Sequence, residues 1–383
     1  MILIYLINFL FAIATTIGMT VMPLLITDGL GLSLFIFGLI EGSTEFISNI
    51  LRLVTGNIFD RIKNKKMLFI VPSALALGSK LALFLPSAMA ILASKIMERT
   101  ANGAFAAPRD AYVGENAKNK GIALGILSSF KTAGCVLGPL LVSAVVLLVG
   151  SVKDNLMLII FLACLVNFLG FGLSLLIDTK KGVNLTKNRE KEFNFKDMLA
   201  SFKNLKLIFT LSFLFFLGRF NDGVIMMHLK SEGFPEWFYL ATISFFNTVM
   251  LLISPIIGYW VDKKKDYQVL IITILALLGF NIFSSQISGI SWVLASLSLI
   301  CWGIQRAGAQ ITFSALIFKN TPVKYYGSAI GLYSLLSGLG VFIASTISGH
   351  LAQSSFNNVF YFSGGISLCT LILAGSLLKR KKE

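Results

Sequence analysis

Four acids and eight bases stand inside long apolar stretches of the sequence. They are Glu41, Glu45, Glu98 and Asp222, with Arg52, Lys80, Lys95, Arg99, Arg109, Lys131, Arg219 and Arg306. An ionisable side chain at the centre of a hydrocarbon layer costs at least about 2.5–3.5 kcal/mol, so each needs a cavity or a partner. Glu41 and Glu45 are four residues apart and share a helix face, and a carboxylate pair of this kind is the chemistry of a proton carrier. Arg219 and Asp222, three apart, are spaced to pair, and Asp222 stands near the middle of its stretch. Arg99 and Arg306, turned inward, would grip an anionic group from two sides. Tyr5, Asn8, Thr15, Thr16, Gln305 and Gln310 add hydrogen-bonding groups that could orient a ligand in a mostly apolar pocket. The competing reading for any one charge is a structural ion pair between helices, or, for Lys80 near the end of its stretch, snorkelling towards water.

The elements that must position these groups are membrane helices. Of 383 residues 56% are apolar and 13% charged, against roughly 25% charged in soluble domains. Such a chain cannot cover itself with polar surface in water. A bilayer-spanning helix needs about 20 apolar residues, and breaking the sequence at charge clusters and polar runs gives twelve spans. These are 3–27, 33–57, 67–85, 88–111, 122–149, 156–177, 205–229, 237–260, 267–287, 290–317, 326–352 and 357–378. The first span starts with no basic segment before it, which argues for a retained helix rather than a cleaved leader. Cys135, Cys164, Cys301 and Cys369 are scattered through apolar runs without metal-ligand spacing. No metal and no cofactor is expected.

Loop charge sets the orientation. One side of the spans collects 23 Lys and Arg and the other only Lys153 and Lys230, so both termini are expected in the cytoplasm, in the inner (plasma) membrane. The net charge of +15 is then loop bias with some affinity for anionic lipid, and no nucleic-acid partner is expected. The long polar stretch after residue 178 divides the chain into six-helix halves at 1–178 and 205–383, joined by a cytoplasmic linker at 179–204 with a short interfacial helix around 193–202. The halves repeat. The segment from Gly56 to Asp60-Arg61 returns as Gly258 to Asp262-Lys263, Arg99 returns as Arg306, and Gly121 to Gly125 returns as Gly327 to Gly331, at offsets of 202, 207 and 206. Parallel repeats about a midplane site are one plan of secondary transporters.

The loop Gly56-x3-Asp60-Arg61-x-Lys63-x-Lys65-Lys66 resembles the signature loop of the major facilitator superfamily, with Lys63 in place of its second glycine. Arg99-x2-Asn102-Gly103-x-Phe105-Ala106-Ala107 resembles the helix 4 motif, whose arginine the family links with proton coupling. Gly125-x8-Gly134-x3-Gly138-Pro139 resembles the glycine-rich antiporter motif, although Val142 and Ser143 replace its closing glycines. Small residues also serve ordinary close packing of helices. With Ala107-Pro108-Arg109-Asp110-Ala111 and Leu217-Gly218-Arg219-Phe220-Asn221-Asp222-Gly223, the chain resembles a bacterial branch of that superfamily and its proton-coupled antiporter and efflux group. The resemblance implies an all-α membrane fold of twelve helices in two pseudo-symmetric six-helix bundles. It implies a cytoplasmic gate of Gly56, Asp60, Arg61, Arg109, Asp110 and Asp262, in which Asp60 pairs with Arg109.

The expectation is a monomeric secondary transporter of a small solute, exporting it against protons. Asp222, Glu41, Glu45 and Arg99 are the coupling candidates, and Arg99, Arg306, Arg219, Asn8, Gln305 and Gln310 the cavity candidates. The alternative, suggested by the excess of intramembrane cations, is transport of an organic anion such as a carboxylate metabolite or siderophore, in either direction. An enzyme is not expected: the sequence has only two histidines, His228 and His350, and no metalloprotease, phosphate-loop or Ser/His/Asp pattern.

Overall fold

The computed structural model describes residues 1–61, 65–85, 87–116, 120–177, 205–263, 265–321 and 326–380, without the side chains of 53, 56–61, 114–115, 120–122, 326–328 and 376–380. The expected linker at 179–204, with its interfacial helix, lies outside the described residues.

Every regular element among the described residues is helical. The first half of the sequence supplies α1 (Ile2–Leu24, prolonged by a π-helical turn at Leu25–Gly29), α2 (Leu34–Arg61), α3 (Met67–Ala82), α4 (Ala88–Asn116), α5 (Lys120–Val149) and α6 (Val152–Leu175). The second supplies α7 (Lys206–Leu217), α8 (Asp222–Ser231), α9 (Glu236–Asp262), α10 (Asp266–Ser285), α11 (Trp292–Lys319), α12 (Tyr326–Ala352) and α13 (Phe356–Arg380). Taking α7 and α8 together as one crossing, these account for twelve spans. Nine are long and apolar enough by composition among the described residues. The other three have physical reasons to fall short. α3 is only 16 residues long, α4 carries Lys95, Glu98, Arg99, Arg109 and Asp110, and α11 carries Gln305, Arg306 and Gln310. The two polar helices occupy equivalent places in the sequence repeat.

The chain forms two compact units. Unit 1 comprises Met1–Leu32, Ile47–Lys191 and Pro235–Ser244, and unit 2 comprises Ser33–Phe46, Glu192–Phe234 and Phe245–Glu383. In unit 1, α1 packs on α5 and α6, and α3 on α4 and α6. In unit 2, α7 packs on α12 and α13, and α10 on α11 and α13. The same neighbours recur six spans later, so the sequence repeat is a repeat of packing.

Close helix contacts fall where side chains vanish, because small residues let backbones approach in a membrane. In unit 1, a Cβ on Gly134 would lie 2.6 Å from the Phe9 carbonyl oxygen of α1, and one on Gly138 2.6 Å from that of Ile13. In unit 2, a Cβ on Gly42 would lie 2.9 Å from the Phe342 carbonyl oxygen, while Gly38 abuts the Ser345 carbonyl and Gly349 that of Leu34. The first half of α2 is thereby seated on α12, with Phe46 stacked on Phe342.

One expectation changes. The apolar run at 205–229 reads as a single helix, but the structure breaks it between Leu217 and Asp222. Gly218, Asn221, Asp222 and Gly223 all have poor helix propensity. Asn221 takes an extended conformation and caps α8, its Oδ1 accepting from the Gly223 amide at 2.7 Å. The buried end of α7 is satisfied by Ser363 of α13, whose hydroxyl donates to the Gly218 carbonyl.

Candidate functional site in unit 2

The break in the seventh crossing gathers the candidates of unit 2. Asp222 opens α8 and is 8% exposed. Its Oδ1 accepts from Trp302 Nε1 at 2.9 Å, and its Oδ2 accepts from Arg306 Nη1 in an ion pair. Trp302 and Arg306 sit four apart on α11 and reach the carboxylate from one helix face. The start of a helix also favours a negative charge there. Arg306 lies over the Phe246 ring at 4.9 Å, so the guanidinium is held by a carboxylate on one side and an aromatic face on another.

Arg219, inside the break, lies over Phe216 at 5.8 Å and Trp302 at 5.9 Å. It is within electrostatic reach of Asp222, Arg306 and Glu45. Its Nε is buried without a hydrogen-bond partner among the described residues. Asn221 links the break to α2, its Nδ2 donating to Glu41 Oε2 at 3.0 Å. An aromatic wall closes the site behind Trp302, with Phe280 at 4.5 Å and Phe220 at 5.5 Å between ring centroids. The result is two guanidiniums and at least three carboxylates gathered about a helix break in an apolar shell. Such a set can exchange a proton, bind an anion, or trade one for the other.

Sequence spacing pairs Asp222 with Arg219, three residues away. The structure pairs it with Arg306 because the break turns Asp222 towards α11. Trp302 escaped the sequence reading, and Asn221 entered it only as part of a motif, without a role. Trp302 stands one turn before Arg306, and that spacing was the available signal. Gln305 is 0% exposed, with both amide atoms unpartnered among the described residues, whereas Gln310 is exposed.

The remaining candidates lie in unit 1, apart from Asp262, the exposed last residue of α9. Arg99 is buried on α4. Asn8 is buried too and bridges two helices, donating to the Leu127 carbonyl at 3.0 Å and accepting from Arg109 Nη1 at 2.6 Å. Arg109 also binds Asp110, through Nε at 2.8 Å and Nη2 at 2.7 Å. The side chains of Gly56, Asp60 and Arg61 lie outside the described residues, so the expected Asp60–Arg109 latch does too. Gly125 has open space where a side chain would be, unlike Gly134 and Gly138, and Pro139 is buried beside them. Lys80 does not snorkel. It forms an ion pair with Glu98, each side chain 1% exposed, in room left by Gly18.

The family model of the Major Facilitator Superfamily matches residues 4–345 and 306–383. The chain belongs to the major facilitator superfamily. It is 28% identical to the uncharacterized MFS-type transporter MJ1317 of Methanocaldococcus jannaschii, over 96% of this chain and 92% of that protein. It is 24% identical to the inner membrane transport protein YajR of Escherichia coli, over 94% and 79% of the two chains. Among solved structures, a POT family transporter crystallised with a thioalcohol-conjugated peptide shares the fold, with a TM-score of 0.81 at 15% identity over 99% of this chain and 95% of that one. This superfamily member is therefore a multi-pass membrane transporter with the fold of two pseudo-symmetric bundles. Its family and relatives are transporters, not enzymes.

Proposed function

We propose that this transporter exports a small solute in exchange for protons, with Asp222 as the proton-exchanging group. The observation that carries the reading is the ion pair of buried Asp222 with half-buried Arg306 at the helix break. Neutralising one partner of an ion pair in an apolar shell leaves the other charge uncompensated and destabilises the arrangement. A proton on Asp222 therefore frees Arg306, and the protein must then re-pair that guanidinium or rearrange. A solute that takes Asp222's place beside Arg306, or Arg306's place beside Asp222, competes with that cycle. Proton and solute then occupy the site alternately, which is antiport. Glu41, tied to Asn221 at the cap of α8, is the second group whose charge bears on the break, and Glu45 and Arg99 complete the coupling set.

Transport follows alternating access, with segments 1–178 and 205–383 as the moving halves and 179–204 as their connection. The excess of loop cations on one side of the spans supports cytoplasmic termini in an inner membrane, and a monomer suffices for the cycle.

The test separates coupling from binding. In proteoliposomes, wild type should accumulate solute when a proton gradient is imposed. Asp222→Asn should lose gradient-driven movement yet keep solute-for-solute exchange. An Asn variant that still concentrates solute on the gradient removes Asp222 from the mechanism.

A second reading is favoured by Arg219, which brings a second guanidinium to the break with Nε unpartnered. With Arg306 it would hold a carboxylate of an organic anion. Inhibition of transport by carboxylates, abolished in Arg306→Ala, supports that reading, and unchanged anion affinity in Arg306→Ala removes it.

A further inference from the structure

A separate group of charges lies in unit 1. Arg52 projects from α2, Arg109 and Asp110 from α4, and Lys131 from α5, with Asn8 of α1 beside them. Asp110 bridges the two arginines. Its Oδ2 accepts from Arg52 Nη2 at 3.2 Å, and its Oδ1 accepts from Arg109 Nε and Nη2 at 2.8 and 2.7 Å. Lys131 is within electrostatic reach of Arg109, Arg52 and Asp110. Among the described residues three cations therefore stand against one carboxylate, an excess of two positive charges inside membrane-spanning helices.

Their exposure is selective. Arg109 is spent: Nη1 donates to Asn8 at 2.6 Å, and its other nitrogens hold Asp110. The Arg52 side chain, by contrast, is 49% exposed and the Asp110 side chain 33%. Lys131 is exposed, and its ammonium makes no hydrogen bond or ion pair among the described residues.

The surface of α5 shows what these groups face. Ile126, Phe130, Leu137 and Leu141 form one exposed stripe that is wholly apolar, as a lipid-facing stripe should be. Leu124, Ser128 and Lys131 form another, confined to the first half of the helix. The same stripe continues through Gly138 and Val142, which are buried. A stripe bearing an ammonium and a hydroxyl faces water or a cavity, since a charge facing lipid is expelled. Two unbalanced cations in such a place, with the hydrogen-bonding edge of one guanidinium open, are the chemistry of an anion receptor.

We propose that Arg52 and Lys131, with Arg109 and Asp110 as their fixed base, form an anion-binding site in unit 1 that takes a multivalent anionic group. Its ligand class is a di- or tricarboxylate or a phosphate ester. Asp110 holds the guanidiniums together against their repulsion, and the ligand adds to the open side of Arg52 and to Lys131. The net charge of two selects multivalent over monovalent anions. The site does not depend on proton exchange at Asp222.

The probe is citrate, titrated calorimetrically into the full-length protein in phosphatidylcholine nanodiscs. Citrate should bind, with acetate at least tenfold weaker. Lys131→Gln and Arg52→Gln should each weaken citrate about tenfold, while Lys153→Gln, on the opposite loop, should leave it unchanged. In unmutated protein, citrate should also protect Lys131 from an amine-reactive reagent, read by peptide mass spectrometry, which guards against misfolding of the variants. A phosphate headgroup offers the same chemistry from the bilayer. Protection of Lys131 by phosphatidylglycerol discs without citrate would keep the anion site and make lipid its occupant. Reagent access to Lys131 unchanged by citrate and by phosphatidylglycerol overturns the proposal, as does citrate affinity unchanged in Lys131→Gln.

Discussion

Lys80 and Glu98 form a buried pair in unit 1 whose energetics can be worked from the geometry. Both side chains are 1% exposed, and Glu98 Oε1 has no hydrogen-bond partner among the described residues. The pair joins α3 to α4, where a Cβ at Gly18 would occupy the space of the Lys80 ammonium. Removing one partner of such a pair strands the other charge and costs about 3–5 kcal/mol, whereas replacing both with apolar residues of similar volume is often neutral or stabilising. Lys80→Met and Glu98→Leu should therefore each destabilise by about 3–5 kcal/mol, and the double variant should return to within about 1 kcal/mol of wild type. At roughly 2 °C per kcal/mol for a chain of this size, the single variants should melt roughly 6–10 °C early. The assay is thermal unfolding in detergent read with a thiol-reactive dye, since Cys164 is buried and unpaired. Single losses below about 1 kcal/mol, or a double variant whose loss is the sum of the two, would refute the view that the pair acts as one neutral unit.

Other variants test other parts of the account. Gln305→Leu should raise stability by about 1–3 kcal/mol, because it removes a buried amide with both atoms unpartnered; a lower melting temperature would mean that the amide has a partner such as water. Trp302→Phe keeps the ring packing but deletes the donor to Asp222, and should cost about 1.5–3 kcal/mol and slow transport, read as melting temperature and initial rate; unchanged values for both would make the indole hydrogen bond incidental. Gly138→Leu should lower the melting temperature through the loss of about 1–3 kcal/mol or more, since its Cβ meets α1 at the Ile13 carbonyl. Gly125→Leu, where the space is open, should melt with wild type and serve as the control.

Much of the fold was legible because a bilayer imposes a coarse rule, about 20 apolar residues per crossing. The repeat was legible as well. The return of Arg99 as Arg306 and of one glycine-bearing loop as another reappears as matched helix packing in both halves of the chain. The close approach at Gly134 and Gly138 followed from residue size alone. The helix break between Leu217 and Asp222 did not, because the apolar flanks of 205–229 together have the length of one crossing and mask Gly218, Asn221, Asp222 and Gly223, four weak helix formers within six residues. The partner of Asp222 was hidden for another reason. Arg306 is 84 residues away, and only tertiary packing brings it nearer than Arg219 is in sequence. Lys80 misled by its position near a span end, where snorkelling is usual, although its partner Glu98 lies only 18 residues on.

The most direct test of proton exchange at Asp222 is the fluorescence of a pH dye trapped inside proteoliposomes under an imposed proton gradient, with a panel of candidate solutes added outside. A solute that collapses the gradient with wild type but not with Asp222→Asn is the predicted result. Gradient collapse that persists in Asp222→Asn, or accumulation of a labelled organic anion with the dye silent throughout, would contradict it.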